Sequence, residues 1–282
     1  WPSYLMNDLT VAPYFSAYFE DKNVLPLPLS ELYGSGSQST QLNPKEMIFG
    51  ATSKDGTAAF YGTIPLFGNN TDDAYKKALE LIWGGSYSKS GLAMIARQYP
   101  TAKYYNSVQA ALIQADADEK VICPTHRLAH LASQNRNVTV RTYSFQHYTF
   151  NGCDWCVELG VCINSTQDAA TFQWATHGSD IAYVLNSRVG PNIIDQTRIY
   201  CPMTSAENKF QRTVEGLWGS FAREGQGGIP ESSWPLISKT ATASAPTLAL
   251  RVEGKEGGIE VIHGYKKDDC DFWAEIEEKH GL

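Results

Sequence analysis

A histidine and an aspartate, far apart in the chain, stand where acid–base chemistry could use them. His177 lies in Trp174-Ala-Thr-His-Gly-Ser-Asp-Ile-Ala-Tyr-Val-Leu185, a small, polar, turn-forming setting. Gly178-Ser179-Asp180 follows it and can cap a short apolar helix beginning near Ile181. A histidine on a loop just before a helix is held in place yet can still reach a substrate. Its ordinary pKa of about 6.5 suits proton transfer near neutrality. Asp55 stands just past Met47-Ile48-Phe49. Such a short continuous apolar run predicts a strand buried on both faces of a parallel sheet, and α/β sheets carry functional groups beyond the carboxyl ends of their strands. An acid after a strand, then a histidine before a helix, fit the last two members of a Ser…Asp/Glu…His triad. The acid would orient the imidazole, and the imidazole would carry the proton from nucleophile to leaving group. Each residue also has a plainer reading. A lone histidine often only satisfies a local hydrogen bond, and Asp55-Gly56 is a common turn pair.

That template needs a serine on a GxSxG turn ahead of the acid. Gly34-Ser-Gly-Ser-Gln38 and Gly84-Gly-Ser-Tyr-Ser88 both lack the closing glycine, and no other serine meets the pattern. The glycine-rich oxyanion loop is missing too. Metal chemistry has weaker support. His126 and His130 are four apart on a predicted helix, but no glutamate lies between them as in HExxH, so a solvated face is expected there. Cys153-Asp-Trp-Cys156 has no second CxxC and no following strand–helix start, which favours structural disulfides over a redox or zinc motif.

The elements that would hold these residues alternate between strand and helix patterns. Thr71 caps a helix running to Trp83, with acids in its first turn and Gly84-Gly85 at its end. Helices follow at 91–98, 106–115 and 124–134. The last starts with a proline and has Leu128, Leu131 and Ala132 as its buried face. Val138–Phe145 is a strand by its β-branched and aromatic content. Ser205 caps a long helix to Glu224, in which Phe210, Val214, Leu217, Trp218 and Phe221 recur at helical spacing. Residues 29–33 are expected to make one helical turn. Two short strands, 248–252 and 258–262, precede a final helix at 268–279 with Cys270, Trp273 and Ile276 on one side. The class is α/β, but strands are few for the length. The chain reads as part of a mostly parallel sheet with its covering helices.

Composition narrows the setting. The 282 residues are 43% hydrophobic, enough for a sizeable core in one domain or two small ones. With 23 basic and 30 acidic residues the formal charge is −7, and no Lys/Arg run marks a nucleic-acid groove. No apolar stretch approaches the roughly 20 residues of a membrane span. Six cysteines (Cys123, Cys153, Cys156, Cys162, Cys201, Cys270) and sequons at Asn69, Asn137 and Asn164 together favour a secreted, disulfide-bonded glycoprotein.

Several motifs then occur in one order. They are Gly50-Ala-Thr-Ser-Lys-Asp-Gly56, Val121-Ile-Cys-Pro124, Thr176-His-Gly-Ser-Asp-Ile181, Trp218-Gly-Ser-Phe-Ala-Arg-Glu-Gly225, Ser233-Trp-Pro235 and Cys270-Asp-Phe-Trp273. The series resembles the C-terminal half of a type-B carboxylesterase, the cholinesterase-like branch of the α/β-hydrolases, along nearly the whole chain. The resemblance implies ester hydrolysis with His177 as base and Asp55 as acid, in place of the usual Glu. An Asp is one methylene shorter, so its loop must approach more closely. It further implies a Cys123–Cys270 disulfide, a supporting role for Asp180 beside the histidine, and Ala12 and Tyr14 along the acyl side of the pocket. No metal or organic cofactor is implied. Cys153, Cys156, Cys162 and Cys201 depart from the family pattern, and three pairings remain open to them. Residues 1–282 would be the second portion of one hydrolase domain. The first portion, with the nucleophilic serine, would come from a separate processed chain or a preceding segment, and would be an obligate partner. A non-catalytic adhesion or scaffold role is the alternative that the same resemblance allows.

Overall fold

The computed structural model describes residues 45–56, 70–135, 137–147, 175, 177–186, 189–191, 198–200, 203–238, 245–252 and 259–280. Ala12, Tyr14, Asn69, Cys153, Cys156, Cys162, Asn164 and Cys201 lie outside them, as does the helical turn expected at 29–33. In chain order the strands are β1 Glu46–Thr52, β2 Thr139–Phe145, β3 Val189–Pro191, β4 Arg198–Tyr200, β5 Pro246–Leu250 and β6 Glu260–His263. The helices are α1 Asp72–Trp83, α2 Lys89–Gln98, α3 Val108–Ala117, α4 Cys123–Gln134, α5 Ile181–Val184, α6 Ser205–Glu224 and α7 Lys267–His280. A π-helical turn, Asp118–Ile122, joins α3 to α4.

Four strands form one sheet in the order β1-β2-β5-β6. β1 and β2 run parallel, from Glu46 opposite Thr139 to Thr52 opposite Phe145. β5 continues in parallel beside β2, and β6 turns back antiparallel to β5. The sheet is therefore mixed, with covering helices, within the expected α/β class. The β3–β4 hairpin forms a separate pair that the sequence reading lacked. Its three-residue strands are too short to carry a periodicity signal.

Alternation along the strands assigns the two faces. Ile48, Tyr143, Phe145, Leu248 and Leu250 pack with Phe210, Val214, Leu217 and Trp218 of α6. Met47, Phe49 and Val140 pack on the other side with Ala129 and Ala132 of α4. α4 buries Cys123, Ala129, Ala132 and Ser133, whereas Leu128 and Leu131 are only half-buried. Small residues let this helix lie close to the sheet, which corrects the leucine face expected from periodicity. His126 also differs from the solvated face expected of it. Its ring packs on Tyr265 with centroids 5.9 Å apart, and burial lowers its pKa to about 4. His130 instead pairs with the side-chain amide of Gln134 at 2.9 Å.

Local capping explains where the helices start. Thr71 Oγ1 accepts from the Ala74 N–H, as predicted. Ser88 and Ser107 cap α2 and α3, so both helices sit about two residues from their expected starts. α3 is buried at every one of its residues and forms the axis of the helical side of the molecule. Thr204, not Ser205, caps α6. The reason is spacing: Thr204 Oγ1 accepts from the Glu207 N–H at 3.1 Å, and Glu207 Oε2 accepts from the Thr204 N–H at 2.8 Å. Arg141 is fully buried in β2 and donates to the carbonyls of Trp234 and Ile229 at 2.9 Å each. Trp234 Nε1 donates back to the Thr142 carbonyl at 2.9 Å. The Ser233-Trp-Pro235 motif is thus stitched to the central strand with its buried polar groups satisfied.

Cys123 and Cys270 form a disulfide, which ties the start of α4 to α7 across a sequence separation of 147. Replacing Cys270 by Ala is expected to cost about 2–4 kcal/mol, because a long loop regains its freedom in the unfolded chain. Thermal unfolding of the variant reads this as a lowered Tm.

Glu207 makes a second connection. Its Oε1 accepts from His147 Nε2 at 3.2 Å, while Oε2 serves the α6 cap. Burial alone would raise its pKa, but the bonds from His147 and Thr204 outweigh burial and bring it down to about 2. The stabilisation is therefore complete above the ordinary value of 4.5 and is lost as pH falls through about 2. Glu207→Gln, which keeps the cap's shape, is expected to cost about 1 kcal/mol near neutrality. Denaturant titrations should find the gap from wild type closing between those two pH values.

Candidate active site

Asp55 and His177 meet although 122 residues separate them. Asp55 lies just beyond the C-terminal end of β1, and His177 lies in the turn that leads into α5. His177 Nδ1 and Asp55 Oδ1 are 2.5 Å apart, a hydrogen bond to an ionised acceptor and shorter than is usual for a nitrogen donor. The other oxygen, Asp55 Oδ2, accepts from the Thr52 N–H at 3.0 Å. Both carboxylate oxygens are thereby aimed, one by the backbone of its own turn and one by the imidazole. The carboxylate is buried, while the imidazole side chain keeps 53% exposure. With Nδ1–H donated to Asp55, the lone pair of the neutral ring is carried by Nε2.

The acid loop is carried by neighbouring backbone. The Ser53 N–H donates to the Phe145 carbonyl at the end of β2 (2.8 Å), and the Lys54 N–H to the carbonyl of Ala175 (3.0 Å). Gly56 sits against α3. A Cβ there would come within 2.5 Å of the Ile113 carbonyl oxygen and 2.8 Å of the Ala117 nitrogen. Only a bare backbone fits, which lets the loop approach closely, as an acid one methylene shorter than Glu requires.

Asp180 stands at the N-cap of α5, but its side chain does not cap the helix. Its Oδ2 accepts from the Tyr143 hydroxyl at 2.8 Å instead. Tyr143 reaches it by lying across Gly50, its partner in the β1–β2 register. A Cβ on Gly50 would fall 2.1 Å from the Tyr143 ring. Trp218 meets the same ring edge-on at 5.0 Å. The glycine that opens the acid motif is thus the seat of an aromatic brace on the histidine loop. Sequence reasoning missed Tyr143, because only the strand register brings it opposite Gly50.

The electrostatics point one way at the histidine. The hydrogen bond to Asp55 raises the His177 pKa above its ordinary value, partial burial opposes this, and the charges of Asp55 and Asp180 add to the rise. Burial raises the pKa of Asp180, against the hydrogen bond from Tyr143. Burial and the charge of Asp180 raise that of Tyr143. At the two ends of α5, Ile181 and Leu185 are exposed apolar side chains.

A comparison with curated proteins gives no match. The sequence does match the family described as the carboxylesterase family, over residues 10–273. That span includes Asp55, His177, Asp180, Cys123 and Cys270, and nearly the whole chain. With an acid beyond one parallel strand hydrogen-bonded to a histidine on a later loop, the chain belongs to the carboxylesterase family.

Proposed function

We propose that this chain supplies the base, His177, and the acid, Asp55, of a serine-type carboxylic ester hydrolase. The alcohol nucleophile comes from a polypeptide segment outside this sequence. The carrying observation is the 2.5 Å bond between Asp55 and a half-exposed His177 ring. In the reaction, His177 Nε2 takes the hydroxyl proton as the serine oxygen attacks the ester carbonyl. Asp55 stabilises the imidazolium, and the proton passes to the departing alcohol as the tetrahedral intermediate collapses to an acyl-enzyme. Water then repeats the sequence, giving up its proton to His177 and releasing the acid. The filled acid and base positions favour this over an adhesion or scaffold role. Asp180 supports the loop through Tyr143.

The need for a partner has both a sequence and a structural argument. GxSxG does not occur in the chain. Among the described residues β1 stands at the end of the sheet order, next to β2, and its Met47-Ile48-Phe49 run is only half-buried although it belongs to a parallel sheet. A parallel strand from the nucleophile-bearing segment, added to that edge, would cover it. An exposed Asn137 in a sequon and the disulfide fit a secretory route. Among the described residues no helix is long and apolar enough to cross a membrane.

In the complete hydrolase, His177→Ala is expected to lower kcat by about 10⁴-fold for a simple ester, and near-normal turnover would remove His177 from the mechanism. Catalysis needs the neutral imidazole, so kcat/KM should fall as pH drops through the raised His177 pKa. Asp55→Asn should move that acid limb to lower pH as well as reduce kcat. Gly50→Ala should displace the Tyr143 ring, reducing both Tm and kcat, and pairing it with Tyr143→Ala should recover part of the lost Tm.

A further inference from the structure

Lys54 precedes the acid and is tied at both ends. Its backbone N–H bonds the Ala175 carbonyl, two residues before His177. Its ammonium donates to Gln114 Oε1 on the buried helix α3 and lies 5.8 Å from the centroid of the Tyr104 ring. Gln114 Nε2 in turn reaches the Ser53 carbonyl at 3.5 Å and Asp118 Oδ1 at 2.8 Å. Asp118 is wholly buried. Its Oδ2 accepts from Lys266 Nζ at 2.8 Å and from the Tyr99 hydroxyl at 3.0 Å. Lys266 also binds Asp269, which accepts from Gln98. Tyr99 accepts from Trp273 Nε1 at 2.8 Å. A connected set of buried and half-buried charges therefore runs from the acid loop to α7, beside the Cys123–Cys270 disulfide.

We infer that Lys54 is a positioning residue for Asp55. Its ammonium anchors the acid turn to α3 through Gln114, and α3 is held to α7 by Asp118 and Lys266. This rests on the reading of Asp55 as the triad acid. The physical need comes from the acid's short side chain. The Asp55 carboxylate reaches His177 only if its backbone is drawn toward α3, and three contacts hold it there. They are the bare Gly56 against the helix, the Gln114 bond to the Ser53 carbonyl, and the Lys54 ammonium. Two of the three involve the Gln114 side chain. A pair of ammoniums and a pair of carboxylates share the set, which explains how charges in so dry a setting are tolerated. Desolvation and Lys266 bring the Lys54 pKa down to about 8, against the pull of Asp118 and Asp269.

The test uses the complete hydrolase and a simple chromogenic ester, at temperatures well below the Tm of each variant. Lys54→Met is expected to lower kcat about tenfold or more with KM little changed, since a small misplacement of a catalytic pair acts on the transition state. It should also move the acid limb of kcat/KM to lower pH, because a loosened Asp55–His177 bond raises the imidazole pKa less. A lowered Tm with kcat and the acid limb unaltered would make Lys54 merely structural and overturn the inference. If Lys54→Met does not fold, Gln114→Ala cuts the same tie from α3, with the same expected and overturning results. Asp55→Asn is measured alongside. If it leaves kcat intact, the triad reading fails. If it lowers kcat while the Lys54 and Gln114 variants leave kcat and the acid limb unaltered, only the positioning role fails.

Discussion

The hydrogen bond between Asp55 and His177 imposes its geometry on much of what surrounds it. A carboxylate and an imidazole must be brought to about 2.5 Å from loops that are 122 residues apart. Neither loop can do this alone. The acid turn follows β1, and the histidine loop is reached only after β2 and a long excursion. The parallel register of β1 with β2, and the backbone bonds from Ser53 and Lys54 to Phe145 and Ala175, convert a sheet into a ruler that sets the separation. A carboxylate shorter than Glu makes the requirement stricter, and the close contact of Gly56 with α3 meets it.

Two braces then keep the pair from drifting. On the base side, Tyr143 crosses Gly50 and holds Asp180, so the turn containing His177 is fixed by the central strand. On the acid side, the Lys54–Gln114–Asp118–Lys266 chain reaches α7. Both braces are polar groups in dry surroundings, where a satisfied bond is strong and an unsatisfied one is costly. Both also start from residues within the Gly50–Gly56 stretch. That short segment thus combines a strand end, the triad acid proposed here and two attachment points.

Much of the scaffold was legible in the residues. Thr71, the acids after it and Gly84 marked α1 almost to the residue. Met47-Ile48-Phe49 announced β1, and the β-branched and aromatic run announced β2. Asp55 and His177 were readable as a pair because their order and flanking elements match one chemical template. What escaped was decided by packing. Leu128 and Leu131 lost their place to Ala129 and Ala132 because α4 lies too close to the sheet for leucine. Ser205 and Thr204 offered nearly equal caps, and Glu207 three residues beyond Thr204 broke the tie. Tyr143 and Lys54 carry no motif of their own. Their partners Gly50 and Gln114 become neighbours only through strand register and the burial of α3. The β3–β4 hairpin was too short to leave a pattern.

The parallel pairing of β1 with β2 also bears on how the molecule comes into being. Parallel neighbours cannot be joined by a tight turn, and here α1 to α4 intervene before β2 returns to β1. Contacts of such high sequence separation form slowly, because chain entropy is surrendered well before the pairing compensates for it. Helices such as α1 and α2 can become ordered locally, whereas Asp55 and His177 find each other only once the sheet has closed. The pairing on which the proposed chemistry rests is thus acquired late in self-assembly, and immature chains carry a histidine not yet coupled to its carboxylate.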